Sequence, residues 1–239
     1  MTVFGRKPVL EALADRRLDV DKVILADNAH GGAAREIIDA AKARSVRVER
    51  ASAHRVKVLA GNGKQDQGVL ADVVAPRMRR LSDALAQRPA RVLVLDGITT
   101  PANVGMILRT ATAAGIEGIV VPRRGVASID PLVVKASAGV AFHAPILRCY
   151  TAEEACAALR DAGYPLFALD GGARQSVFDV ELPVRAAFVL GGETDGVSAE
   201  VRRHVTGLLS IPMAGGVESL NVASAAAVLC FELVRRSSR

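Results

Sequence analysis

Apolar residues along the chain fall into short dense runs separated by longer amphipathic stretches, the pattern of alternating strands and helices. In the first 75 residues VLEALADRR reads as a helix, KVILAD as a strand, AAREIIDAAKARS as a helix, VRVERA as a strand, HRVKVLAG as a short helix and GVLADVV as a strand ahead of Pro76. This is the signature of a compact α/β unit. Residues 75–90 (APRMRRLSDALAQRPA) change character, with a proline near each end and four arginines between them, and read as a linker carrying a short helix.

A second series begins at residue 91. RVLVLDGI reads as a strand, NVGMILRTATAAG as a helix, GIEGIVVP as a strand, residues 131–141 as a helix and PILRCY as a strand. TAEEACAALRDAG then reads as a helix, YPLFALD and AAFVLGGE as strands, SAEVRRHV as a helix, GLLSIPM as a strand and SLNVASAAAVLCFELVRR as a long terminal helix. Strands alternating with helices predict an α/β fold with a mostly parallel sheet and helices on both faces. The terminal helix is unusual, because Ser224 and Glu232 are the only polar residues from Val222 to Val234. Such a helix has to be covered on all sides, by its own domain or by a second copy of the chain.

Composition narrows the class. Half of the 239 residues are hydrophobic and 23% are charged, which excludes wholesale disorder. No apolar run reaches the roughly 18 residues of a membrane span, and the start, MTVFGRKPVLEALADRR, lacks an apolar signal core. A cytoplasmic location with no membrane partner is expected. Cys149, Cys156 and Cys230 lack metal-ligand spacing and read as reduced core residues. The formal charge is +6, with 17 Lys and Arg against 11 Asp and Glu in residues 1–90 and 14 of each in residues 91–239. The excess is arginine-dominated, 25 Arg to 6 Lys, and arginine's planar fork of donors suits phosphate. Aromatic residues make up only 3%, so shape and backbone recognition of a nucleic acid is expected over base stacking.

The chain has neither a GxGxxG nor a GxxxxGK[ST] signature, which argues against a dinucleotide or nucleotide-driven site. It has three polar constellations instead, each at the end of an apolar strand. In LDGITTPANVGMILRTATAAG (95–115), Asn103 sits at the start of a helix, where capping is its plainest role. Arg109 lies six residues on in an apolar helix and needs an anion partner or an exit to solvent. In FVLGGETDGVS (188–198), three glycines permit a tight turn beside Glu193. In IPMAGGVESLNVASAAA (211–227), Ser219 and Asn221 stand where a loop enters the last helix, again capping positions.

The joint spacing of these three motifs closely resembles the SpoU (TrmH-type) family of RNA ribose 2'-O-methyltransferases, within the SPOUT superfamily. The resemblance rests on Pro101, Asn103, Gly105, Arg109, Thr110 and Ala111 in the first motif and on Leu190, Gly191, Glu193 and Gly196 in the second. In the third it rests on Ile211, Pro212, Met213 and Ser219 through Ala223, with KASAGVAFHAPI (135–146) also similar. GRKPVLEAL and QGVLADV (67–73) resemble the family's small substrate-binding domain, itself similar to an RNA-binding ribosomal protein. Thr100, Thr194 and Glu218 depart from the family's usual residues.

The resemblance implies a trefoil-knotted SPOUT methyltransferase domain at 91–239, a linker at 76–90 and a substrate RNA-binding domain at 1–75. It implies S-adenosylmethionine as methyl donor, bound by Leu190, Gly191, Gly192, Ile211, Met213 and Leu220, with no metal, and a homodimer whose active site borrows residues across the interface. The catalytic set carried over is Arg109, Asn103, Glu193, Ser219 and Asn221. Asn103 and Asn221 would orient Arg109 and the ribose, while Glu193 and Ser219 would position the nucleotide and the loops. Arg109 matches the family's proton-removing arginine; arginine ordinarily keeps its proton in proteins, so a phosphate anchor that stabilises developing alkoxide is the less demanding role. The layout is most similar to the branch that methylates a guanosine of 23S rRNA. A tRNA ribose methyltransferase, an antibiotic-resistance 23S rRNA methyltransferase and a non-catalytic RNA-binding or ribosome-assembly protein are the alternatives.

Overall fold

Strand β1 (Thr2–Phe4) opens the chain in the computed structural model, which describes residues 1–60, 66–75 and 77–237. Gly61, the expected end of the third helix, Pro76, the expected start of the linker, and the last two residues lie outside the described residues. After β1 come α1 (Arg6–Ala14), β2 (Asp19–Ala26), α2 (Gly32–Ala43), β3 (Arg47–Ala51), α3 (Ala53–Ala60) and β4 (Val69–Val74). These strands form a four-stranded sheet in the order β1-β4-β2-β3, in which only the β2–β3 pair is parallel. Phe4, Ile24, Ala26, Leu70 and Val56 of α3 pack together as one core of this sheet. Arg44, at the end of α2, donates to the carbonyls of Ala12 (3.1 Å) and Leu13 (3.2 Å), which the end of α1 leaves without helical partners, and to those of Asp15 (3.0 Å) and Leu18 in the loop that follows.

The second series continues with β5 (Arg79–Arg80), α4 (Leu81–Leu85), β6 (Arg91–Leu95), α5 (Pro101–Ala113), β7 (Gly118–Val120), α6 (Pro131–Ala136) and β8 (Ile146–Arg148). It ends with α7 (Ala152–Asp161), β9 (Leu166–Leu169), β10 (Gln175–Ser176), β11 (Ala186–Leu190), α8 (Ala199–Arg202), β12 (Gly207–Ser210) and α9 (Val222–Ser237). Its eight strands lie in the order β10-β12-β9-β11-β6-β7-β8-β5, and every neighbouring pair is parallel. Val92, Val94, Ala187 and Val189 join one core with Leu81 of α4 and Cys156 and Leu159 of α7. The alternate residues Leu93, Leu95 and Phe188 are equally buried, so the sheet is covered on both faces, as continuous apolar strands require.

Contacts divide the chain into two units, Met1–Pro76 with Ile129–His143, and Arg77–Ser128 with Ala144–Arg239. The stretch read as a linker thus adds edge strand β5 and helix α4 to the second unit, while α6 belongs to the first. The helix read over 131–141 stops at Ala136, because Ala138 and Gly139 take left-handed φ values of 52° and 81°. Within the first unit His143 Nε2 lies 3.2 Å from Asp15 Oδ2, and Arg17 holds the Asp15 carboxyl well below its ordinary range. The regrouping corrects the charge map. The first unit carries 14 Lys and Arg against 11 Asp and Glu and the second 17 against 14, so each is +3 and the basic excess is shared equally.

The three cysteines are free, and burial raises Cys156 and Cys230 to about 12 and Cys149 to about 11. Helix α9 packs against α5 but is not covered on all sides: Ser224 and Phe231 are exposed. Its buried Glu232 accepts from Arg235 Nε and Nη2, both at 2.7 Å, and from Arg236 Nε at 2.6 Å. Arg236 in turn donates to the Val177 (2.6 Å) and Val180 carbonyls, fixing the helix end to the segment after β10. The bond from Arg235, reinforced by Arg236 against the opposing effect of burial, lowers the Glu232 carboxyl to about 2. A lowered folded-state pKa contributes stability that is complete above the unfolded value of about 4.5 and is lost as pH falls towards 2. Glu232→Gln is therefore expected to cost ~2 kcal/mol at pH 7, with the gap to wild type closing between pH 5 and 2, as urea titrations across that range would measure.

Candidate functional site

All eight strands of the large sheet run the same way, so their carboxyl ends form one rim. The chain fills the sheet outward in one direction from β6 through β7 and β8, then returns to lay β9, β11 and β12 on the other side. Ligands of open α/β sheets bind outside the strand ends where the order reverses, and the polar constellations stand there. Asp96 continues β6 by donating its N–H to the Leu190 carbonyl (2.9 Å), and its Oδ2 accepts from the Ser198 N–H (2.7 Å).

After β11 the backbone turns sharply. Gly192 and Gly196 exchange N–H···O bonds, both 3.0 Å, closing a loop over Glu193, Thr194 and Asp195. A side chain on Gly191 would put its Cβ 2.2 Å from the Gly196 carbonyl carbon, and one on Gly192 would meet the Gly97 oxygen at 2.7 Å. Both contacts are to backbone, so these two positions require glycine.

The loop separates two cavities. The larger, about 620 Å³, is walled by Leu190, Gly191, Gly192, Ile211, Met213 and Leu220, with Glu193, Ser219 and Asn221 beside them. The smaller, about 330 Å³, lies over residues 96–100 and Asn103 and shares the wall 192–196. Asn103, buried at the third position of α5, does not cap that helix: Thr100 occupies the cap position. Its Nδ2 donates to Glu193 Oε1 at 3.1 Å, and its Oδ1 accepts from Asn221 Nδ2 at 3.1 Å. Asn221 Nδ2 also donates to Glu193 Oε1 at 2.6 Å, while Asn221 Oδ1 accepts from the Ala223 (2.9 Å) and Ser224 (3.4 Å) N–H groups and caps α9. Because Oδ1 takes the backbone donors, the amide's orientation is fixed by the helix it caps.

Arg109 lines neither cavity. It is exposed on α5 in a stripe with Ala102, Met106 and Ala113, about 9 Å along the axis from Asn103. Ser219 is exposed in a loop whose residues 214–221 are all exposed. Two further groups in the large cavity were not singled out in the sequence: Asp170 and Arg202, which form an ion pair that, with the Gly172 N–H, lowers the Asp170 carboxyl. Asp170 and Asp96 each follow a strand-ending leucine and precede glycine, in LDG at 95–97 and again at 169–171, and that repeat is the signal that marks them.

The cavity's volume suits a small organic ligand. Its wall carries Asp170, Glu193, Asp195 and Glu218 against Arg202, a surplus of carboxylates that favours a cationic ligand. Among the described residues no three His, Cys, Asp or Glu cluster as metal ligands, and no helix is long and apolar enough to cross a membrane.

This arrangement defines an α/β protein with a ligand site at the switch point of a parallel sheet. The model of the SpoU rRNA methylase family matches residues 90–231, and that of the RNA 2'-O ribose methyltransferase substrate-binding domain matches residues 2–79. The chain belongs to the SpoU rRNA methylase family. It is 33% identical over 240 residues to the 23S rRNA (guanosine-2'-O-)-methyltransferase RlmB of Xanthomonas axonopodis pv. citri, covering 98% of this chain and 96% of that one. It is 34% identical over 206 residues to an RlmB from Burkholderia sp, with 84% and 83% covered. The SpoU methyltransferase AviRb from Streptomyces viridochromogenes, in complex with the cofactor AdoMet, superposes with a TM-score of 0.69 at 28% identity, covering 100% of this chain and 90% of that one.

Asn221 makes a separable prediction, because one of its atoms caps a helix and another holds Glu193. Asn221→Ala is expected to cost about 1–2 kcal/mol. Asn221→Ser keeps a capping oxygen and should recover part of that loss without restoring the bonds to Glu193 and Asn103. Equal destabilisation by both in urea denaturation would show that the cap contributes nothing.

Proposed function

We propose that the chain is an S-adenosylmethionine-dependent RNA ribose 2'-O-methyltransferase acting on a guanosine of 23S rRNA. The observation that carries this reading is the hydrogen-bonded group in which Asn103 holds Glu193 and Asn221 on the wall of a carboxylate-rich cavity at the strand ends. The RlmB relatives match nearly end to end, which favours 23S rRNA over tRNA as substrate.

When bound, S-adenosylmethionine supplies a methyl group already activated on a sulfonium. The residues of the chain hold and orient. Ile211, Met213 and Leu220 offer an aliphatic wall, Gly191 and Gly192 let backbone come close, and Asp170, Glu193, Asp195 and Glu218 set a negative field that suits a cation. Glu193, fixed by two amide donors, keeps one geometry for the nucleotide, and Ser219 presents a hydroxyl from the loop above. Arg109 anchors the phosphate next to the target ribose and stabilises the 2'-oxygen as its proton departs. Residues 1–75 capture folded RNA, and residues 91–239, which from about Phe188 to Val222 thread a trefoil knot, carry out methyl transfer.

The working form is a cytoplasmic homodimer. Met106 is 40% exposed and Phe231 52% exposed. They stand on outward stripes of two helices packed against each other, Ala102–Met106–Arg109–Ala113 on α5 and Ser224–Val228–Phe231–Arg235 on α9. A second copy on this face buries both stripes and brings Arg109 to a site that spans the pair.

The test is transfer of labelled methyl from S-adenosylmethionine to 23S rRNA isolated from cells lacking the gene. A single 2'-O-methylguanosine is expected, and Arg109→Ala should lower kcat about 100-fold or more while cofactor affinity by calorimetry changes less than about twofold. Methylation of tRNA alone would overturn the rRNA assignment. Sedimentation at micromolar concentration should give a dimer that Phe231→Glu converts to monomer; a wild-type monomer contradicts the shared site.

A further inference from the structure

The rim of the large sheet has a second concave site, at the carboxyl ends of β5 and β8 and beyond β7. A cavity of about 370 Å³ is lined there by Arg80, Arg123, Arg148 and Tyr150, with Ser82 and Glu154. Three arginines thus line one pocket, each placed at or just past the end of an edge-side strand. Arg124, the next residue after Arg123, is exposed as well, and its N–H donates to the Tyr150 carbonyl at 3.0 Å.

Among the described residues no carboxylate lies within 4.0 Å of a nitrogen of Arg80, Arg123, Arg124 or Arg148. The one carboxylate on the wall, Glu154, accepts from the Tyr150 N–H at 3.1 Å. Arg148 is held in place by donating to the Val121 carbonyl at 2.7 Å. Burial, and then repulsion from Arg123, disfavours its charged form. A concave cluster of three like charges with one carboxylate on its wall, outside ion-pair distance, keeps a net positive field that becomes more favourable when an anion enters. The arginine fork matches the paired oxygens of a phosphate. Tyr150 is 60% exposed beside it, an aromatic face for an unpaired base.

We propose that the Arg80–Arg123–Arg148 pocket is a docking site for a backbone phosphate of the RNA substrate, with Tyr150 stacking on an adjacent base. This rests on the RNA methyltransferase reading above and extends RNA contact to the second unit, which carries half of the net charge. Strands lie about 4.8 Å apart, so the three spacings from β11 to β8 place the pocket roughly 15 Å along the rim from the loop that bears Glu193. One continuous stretch of RNA reaches both points.

The test uses the full-length protein, in vitro transcribed 23S rRNA as probe, and affinities measured from about 0.05 to 0.3 M salt. Arg80→Gln combined with Arg123→Gln, both exposed positions, is expected to weaken binding about tenfold near 0.15 M salt and to reduce the slope of log K against log salt by roughly 0.7 to 0.9, the loss of one phosphate contact. Arg80→Lys with Arg123→Lys should restore the salt slope, because a lysine still neutralises a phosphate, but only part of the affinity, because it lacks the fork. Tyr150→Ala should weaken binding with the salt slope unchanged. S-adenosylmethionine affinity should stay within twofold of wild type throughout. Unchanged RNA affinity and slope in the double glutamine variant, with wild type binding and methylating the RNA, overturns this pocket alone. Failure of the wild-type protein to bind or methylate the RNA overturns the methyltransferase reading and the pocket together.

Discussion

The second unit depends on a three-membered hydrogen-bonded group that ties together segments 28, 90 and 118 residues apart in sequence. Asn103 reaches from the first turn of α5, Glu193 from the turn after β11, and Asn221 from the cap of α9. Asn103 is buried, and a buried amide left without partners costs about 1–3 kcal/mol, so its side chain is committed to the exposed Glu193 and Asn221 once they are in place. The group also holds the wall shared by the two cavities. Loop position and helix start are therefore set by the same few atoms, and a change in either is transmitted to the other.

Glycine makes that group possible. The turn after β11 passes so close to the 196–197 backbone, and to Gly97 after β6, that any side chain at 191 or 192 would occupy the place of backbone atoms. Two strand ends and their loops thus meet backbone to backbone, which leaves N–H and C=O groups at the cavity instead of side chains. The loop 214–221 behaves differently. All of its residues are exposed, Val217 (53%) and Leu220 (37%) among them, and apolar side chains in that situation gain most when something covers them.

The alternation of apolar runs made most of this architecture legible, because parallel strands buried on both faces are nearly continuous apolar sequence. Strands β1, β5 and β10 were not, being two or three residues long without the longer apolar run around the equally short β7 and β8, and paired for reasons of tertiary context. The capping reading of Asn103 failed for the same cause. Propensity at a helix start describes a local hydrogen bond, and here partners 90 and 118 residues away took the side chain instead. Arg109 was legible as an anomaly in an apolar helix, and it resolved as an exit to solvent beside Met106. The grouping of residues 129–143 with the first unit had no local signal, since contact between distant segments leaves no period in the sequence.

That regrouping changes what the charge means. A basic excess assigned wholly to the first 90 residues suggested one part that grips RNA and another, neutral, that acts on it. With +3 on each unit, the distribution inside the second unit becomes the informative quantity. Along a single rim of parallel strand ends, the β9–β11–β12 side gathers Asp170, Glu193, Asp195 and Glu218, and the β5–β8 side gathers Arg80, Arg123 and Arg148. A polyanion is repelled by the first group and attracted by the second, whereas a small cation is attracted by the first. Under the proposed function, two ligands of opposite charge would thereby be sorted to opposite halves of one edge before any specific contact forms. The junction near β6, where Asn103 and Asp96 stand, lies between the two groups in the strand order, where both ligands would meet.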